Sequence, residues 1–319
     1  MNSKWLWLLV ITFIFYSCKK DQEIKQEVAE IPVAFTVDRF DKAFYETPVE
    51  QFQELKAKYP YFFPAGVPDT LWTNRIQHPL YRELYQEVQK QFPNNQFLET
   101  ELSLLFKHIR FYFPELKTPK VNTLISEMDY ESKAVYTDSL VIISLDMYLG
   151  KDHRFYEFPE YLRQTFVPAQ ITQDVVADFY LRKAKKINDK SFLSQMVYEG
   201  KGLYLKQLLI PKSSDADKMG YTNEQITWCT ENEVYMWEYF VERKMLYDTD
   251  ATLARRFIYP APFSKFYLEF DNETPGKVGA WIGWQIVRSF MENNEVDLQK
   301  MLEMDEKELF LKSKYKPKK

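Results

Sequence analysis

Cysteine, histidine and paired carboxylates are the side chains most able to do chemistry, and this chain has few of them. Cys18 closes the stretch FIFYSCKKDQE, where an apolar run ends and charge begins at once. Before it come Lys4 beside the starting amine, a largely apolar and aromatic run from Trp5 to Tyr16, and small Ser17. That is the layout of a secretory signal. Crossing a bilayer takes about 20 apolar residues, so the run is too short for an ordinary transmembrane helix. A plain cleavage site has no need of a cysteine after it. A bacterial lipoprotein signal ends on one, whose thiol takes lipid and becomes the new N-terminus. Cys18 is therefore expected to carry the lipid, palmitate included, and residues 1–17 to be removed. Ser17 is the usual small residue before such a cysteine, while Phe15 stands where leucine is commoner.

The remaining candidates carry less. If Cys18 holds lipid, Cys229, the other of two cysteines, has no disulfide partner, and between Trp228 and Thr230 it reads as a buried, inert thiol. His78, His108 and His153 are the only histidines. None pairs with another at i, i+4, so a local HExxH zinc site cannot form. No GxGxxG, GxxxxGK[ST] or GxSxG motif is present. Gly276, Gly279 and Gly283 in PGKVGAWIG fall at helical spacing, with Thr274 expected as N-cap and Pro275 in the first turn, so close helix packing explains them better than a phosphate loop. Trp281 and Trp284 would flank that face. Asp174 and Asp178 share a helix face, but Arg182 lies one turn beyond Asp178, which suggests a salt-linked ladder rather than an acid–base couple. No catalytic residue, metal or cofactor is expected.

The elements that must position these residues are mostly helical. Residues 18–35 are polar and charged at first and read as a tether from the lipid to a globular domain over 36–319. From Pro48 the period is helical: Val49, Phe52, Leu55 and Tyr59 recur about one turn apart, and residues 69–92, interrupted at Pro79, and 97–112 read likewise. Val121–Ser126, Ala134–Tyr136 and Leu140–Leu145 are β-branched runs expected to form a small antiparallel meander. Helices return in PAQITQDVVADFYLRKAK, FLSQMVYEGKGLYLKQLLIP, TNEQITWCTENEVYMWEYFVERKML and TPGKVGAWIGWQIVRSFMENN. The fold class is thus α+β, mainly helical. With 45% hydrophobic and 17% aromatic residues the chain can build a core, and its net charge of −4 argues against nucleic acid as a partner. The basic end KSKYKPKK reads as solvated.

Four long segments carry a resemblance: SLDMYLGKDHRFY (144–156), MVYEGKGLYLKQLLIP (196–211), ENEVYMWEYF (231–240) and APFSKFYLEFDNETPGKVGAWIGWQIVRSFM (261–291). In this order they resemble the GldB family of gliding motility lipoproteins of Bacteroidetes, over nearly the whole mature chain. The resemblance implies a lipid-anchored cell-envelope protein needed for gliding, working with other gliding lipoproteins and the type IX secretion machinery, and it implies no established catalytic residue. Neither the membrane nor the face it occupies follows from it. A weaker likeness, in the order of sheet, QDVVAD helix and YEGKG helix, is to gluzincin-type zinc peptidases. There Gln173, Asp174 and Ala177 would stand at the His, Glu and His positions, leaving Glu199 as the single plausible ligand. This implies a degenerate zincin-like fold that keeps a cleft without the chemistry, or else a divergent peptidase.

Overall fold

The structure is a computed structural model that describes residues 26–318, so Cys18 and the signal segment lie outside the described residues. Part of the expected tether lies against the domain: Val28 is buried, Lys107 donates to the Ala29 carbonyl at 2.7 Å, and Phe35 meets Phe106 edge-on at 5.0 Å.

The N-terminal third is helical, as its periodicity requires. Strand β1 (Val37–Asp38) leads into α1 (Phe40–Glu46), α2 (Phe52–Lys58), α3 (Asp69–Gln77), α4 (Pro79–Gln91) and α5 (Gln96–Tyr112). Pro79 falls at the first turn of α4, where its missing N–H costs nothing, so the helical pattern continues in a new direction. Phe40, Phe44, Phe52, Tyr59 and Phe63 pack into a small aromatic core. Arg39 ties this region to the sheet. Its guanidinium pairs with buried Asp41 at 2.7 Å, and Thr123 of the sheet donates to the same carboxylate.

The sheet holds β2 (Lys120–Leu124), β3 (Ala134–Tyr136) and β4 (Leu140–Ser144) in the order β1-β2-β4-β3. The expected antiparallel meander is therefore corrected to a mixed sheet. Only β3 and β4 form an antiparallel hairpin, while β1 pairs with β2 and β2 with β4 in parallel. The reason lies in the EMDYESK connection, which is long enough to carry the chain past the β4 position, so that β3 becomes the edge strand and β4 enters between it and β2. Glu127 and Met128 take left-handed backbone there, with φ of 61° and 65°, and buried Asp146 accepts the Ser126 and Met128 N–H groups at 2.9 and 2.7 Å.

Ten helices follow among the described residues: α6 (Glu160–Arg163), α7 (Ile171–Lys183), α8 (Phe192–Leu209), α9 (Asp215–Met219), α10 (Asn223–Glu231), α11 (Glu233–Glu242), α12 (Ala251–Phe257), α13 (Val278–Asn293), α14 (Leu298–Glu303) and α15 (Glu306–Ser313). Ile171, Val175 and Phe179 of α7 are buried as their spacing demands, and Phe179 packs edge-on against Tyr136 of β3 at 4.9 Å. The segment from Thr222 to Leu246 is two helices rather than one. At Asn232 (φ −109°, ψ 12°) the side-chain amide takes the Trp228 carbonyl at 2.8 Å and the backbone turns. The chain is mainly helical with a small mixed sheet, an α+β architecture.

A charged cavity between the sheet and the helical layer

The helices converge on a cavity of 460 Å³, within the size range of small-molecule sites. Helix α8 supplies one wall. Glu199, Leu203 and Lys206 recur at i, i+4 and i+7, which places them on one helix face, and all three line the cavity. Asp174 of α7, Lys133 at the entry to β3, the end of α9 with Gly220 and Tyr221 after it, and the segment before α13 close it.

The Lys277 end of the cavity depends on unusual backbone. Thr274 does not cap α13 as expected. Its hydroxyl is committed to the Ser264 and Asp271 carbonyls, at 3.0 and 2.7 Å, and the helix begins only at Val278. Lys277 is the N-cap residue, held left-handed at φ 61° and ψ 24°, a conformation uncommon for a residue with a Cβ. Gly276 permits this arrangement, because a Cβ there would stand 2.1 Å from the Ala261 carbonyl oxygen. Tyr221 donates to the Gly276 carbonyl, and the Lys277 ammonium donates to the Met219 carbonyl at 2.5 Å.

The charges are unevenly satisfied. Lys133 pairs with Asp174 at 2.8 Å, and the buried Tyr148 hydroxyl donates to the same carboxylate at 2.9 Å. Lys206 and Lys277 make no ion pair among the described residues; the first reaches only the Lys218 carbonyl, at 3.4 Å. Burial pushes the Lys206 ammonium down to about 8, with Asp174 and Glu199 opposing and Lys133 adding to the fall. Burial and the neighbouring Lys206 likewise bring Lys277 to about 8. Glu199 is exposed to solvent by surface area, yet the protein packed around it raises its carboxyl above the usual range, against the pull of Lys277 and Lys206. Four lysines and three carboxylates line the space, counting Glu131 and Lys218.

The sequence candidates separate on this frame. Asp174 and Glu199 come together at the cavity, but Asp178 turns away to accept the Tyr136 N–H at 2.6 Å and to pair with Arg182 at 2.8 Å, which is the expected ladder. Gln173 is fully buried with both side-chain polar atoms unpartnered, and neither it nor Ala177 lines the cavity. A zinc ion does not fit this set: an amide pointing elsewhere and a methyl group stand where imidazoles are needed, and two ammonium groups face the space a dication would occupy. His108 is buried, His153 sits 3.6 Å from Glu87, and His78 lies over Tyr81, all three away from the cavity. Cys229 is fully buried, and burial pushes its thiol up, as an inert cysteine requires.

Lys206, Lys277 and Lys133 were not visible as site residues in the sequence. One signal existed: Lys206 is a cation in the largely apolar LYLKQLLIP run, and a cation on a core helix needs either a buried partner, as Lys201 has in Glu306, or a cavity to face. Lys277 gave no such sign, since only its left-handed backbone turns it inward.

No curated protein and no solved structure matches the chain. The family model described as gliding motility protein GldB matches residues 21–317, which includes all four segments of the resemblance and every residue lining the cavity. The chain belongs to the GldB family of gliding motility proteins.

Proposed function

We propose that this protein is a lipid-anchored component of the cell envelope that serves gliding by binding, not by catalysis. The observation that carries the binding reading is the unpaired Lys206 and Lys277 in a cavity walled by Asp174 and Glu199. Unpaired ammonium groups in a partly desolvated space are costly unless a ligand answers them. Attachment to a membrane through Cys18 fits the sequence, and among the described residues no helix is long and apolar enough to cross a membrane. Other gliding lipoproteins and type IX secretion components are the proposed partners.

A second reading has one specific support. Asp174 on α7 and Glu199 on α8 meet at the cavity in the order that gluzincin-type peptidases use for a catalytic acid and a metal ligand. Under that reading the fold is a degenerate zincin and the cavity a former active site. Metal analysis and a generic peptidase assay on the full-length chain, purified in detergent, separate the two. The binding reading expects no stoichiometric zinc and no turnover; turnover abolished by Glu199→Gln would replace it with the enzyme.

A further inference from the structure

We propose that the cavity takes a carboxylate-bearing small molecule or chain end, with its carboxylate held by the ammonium groups of Lys206 and Lys277. This rests on the binding reading and adds the ligand's chemistry to it.

The charges in the cavity favour a monoanion. Lys133 and Asp174 cancel as an ion pair. Lys218, itself buried, is already engaged by Asp215 at 3.6 Å and by the Ser213 carbonyl, and Glu131 is exposed to solvent. What faces the interior is two ammonium groups and the Glu199 carboxyl. A ligand carrying one negative charge neutralises the remainder, whereas a phosphate dianion would bring a second charge up against Glu199. Hydrogen-bond donors are also left over. Each ammonium has three donors; among the described residues Lys277 meets the Met219 carbonyl and lies over the Tyr221 ring, 5.4 Å from its centroid, and Lys206 meets only the distant Lys218 carbonyl. Donors therefore remain for two carboxylate oxygens. The backbone at Lys277 is strained as well. Lys277 is held in a left-handed conformation at a helix start, and Gly276 and Gly220 (φ 66°) shape the loops on either side of it. Such strain persists where surrounding structure enforces it, and it accumulates at binding sites.

The remaining lining is mixed. Leu203, Ile258, Pro260 and Ala280 give an apolar surface beside the charged one, while Tyr130 and Tyr161 add phenol groups. The ligand is accordingly expected to have a short apolar body next to its carboxylate. A small organic acid and the C-terminal residue of a peptide share that chemistry.

The test uses the full-length chain in detergent, with propionate, N-acetyl-alanyl-alanine, its C-terminal amide and inorganic phosphate as probes. Lysines are reductively methylated with carbon-13, so that Lys206 and Lys277 are followed directly by NMR. Both acids are expected to move these two resonances and to raise the pH at which they titrate, and the amide is expected to do neither. A stronger response to propionate indicates a small acid, and a stronger response to the dipeptide a chain end. Affinity should fall as pH rises through about 8, where both amines lose their protons. Lys206→Met and Lys277→Met should each weaken binding about tenfold or more, while Lys277→Arg keeps it. Should the amide bind as well as the acid, should phosphate bind in place of both acids, or should wild-type Lys206 and Lys277 resonances ignore every acid, the assignment is wrong. Carboxylate binding by a chain whose Lys206→Met/Lys277→Met variant glides normally would uphold the ligand and remove only its link to motility.

Discussion

Gly200 of α8 and Gly283 of α13 meet backbone to backbone: a Cβ on Gly200 would stand 2.2 Å from the Gly283 carbonyl carbon, and one on Gly283 would stand 1.7 Å from the Met196 carbonyl oxygen. This crossing sets the spacing of the site, because α8 carries Glu199 and Lys206 while α13 starts just after Lys277. Backbone cannot yield as a side chain can. Gly283→Ala is therefore expected to destabilise the protein by ~1–3 kcal/mol or more, and Gly283→Leu further, despite the better helix propensity of both. Thermal melts check this. Cellular abundance and gliding should fall together, and an unchanged melt with lost gliding would make this helix face a partner surface instead.

A buried ion pair joins the C-terminal helix to the same core. Lys201 donates to Glu306 at 2.8 Å, with side chains 1% and 8% exposed, and also reaches the Met304 carbonyl at 2.5 Å. Lys201→Met leaves Glu306 charged and unpaired, and should cost roughly 3–5 kcal/mol. Adding Glu306→Gln should recover a large part of that loss. A double-mutant cycle in denaturant measures the coupling, and additive losses would show that the pair contributes nothing beyond packing.

The unpaired lysines predict an unusual pH dependence. Each has a folded value of about 8, below the ~10.4 of a free lysine. Between the two the unfolded chain binds more protons than the folded one, so stability rises with pH across that window and is lost as pH falls through about 8. Lys206→Met/Lys277→Met should remove this rise, and should also make the chain more stable than wild type at neutral pH. A variant that folds better and functions worse is the mark of a binding site. Melts of both proteins across that window check the sign.

Cys18→Ala should yield protein without lipid, unlabelled by radioactive palmitate and unable to support gliding. Multiple acyl chains hold a protein at a membrane far more firmly than one. Persistent palmitate labelling of Cys18→Ala would move the anchor elsewhere.

Much of the fold was legible because periodicity reports burial. Ile171, Val175 and Phe179, or Phe52, Leu55 and Tyr59, face inward because apolar spacing leaves no other choice. Strand order was not legible. Val121, Val141 and their neighbours specify strands, but whether β4 lies beside β2 or beyond β3 depends on the path of residues 125–133, which side-chain pattern does not encode. The start of α13 was misplaced because Thr274 is a good cap in isolation, yet here its hydroxyl is claimed by Ser264. The site was half legible. Asp174 and Glu199 were singled out as carboxylates, but the four lysines that line the cavity come from separate segments that only the tertiary fold unites.

Whether this cavity serves gliding by holding an anionic ligand is decided by complementation. A strain lacking the gene is complemented with wild type, Glu199→Gln or Lys206→Met/Lys277→Met, and gliding is scored at matched protein abundance. The double lysine variant is expected to be abundant, folded and non-motile, while Glu199→Gln glides, because an amide relieves the negative charge beside the ligand and a binding site needs no acid there. Normal gliding by the lysine variant, or a folded Glu199→Gln protein that cannot glide, would contradict that role for the cavity.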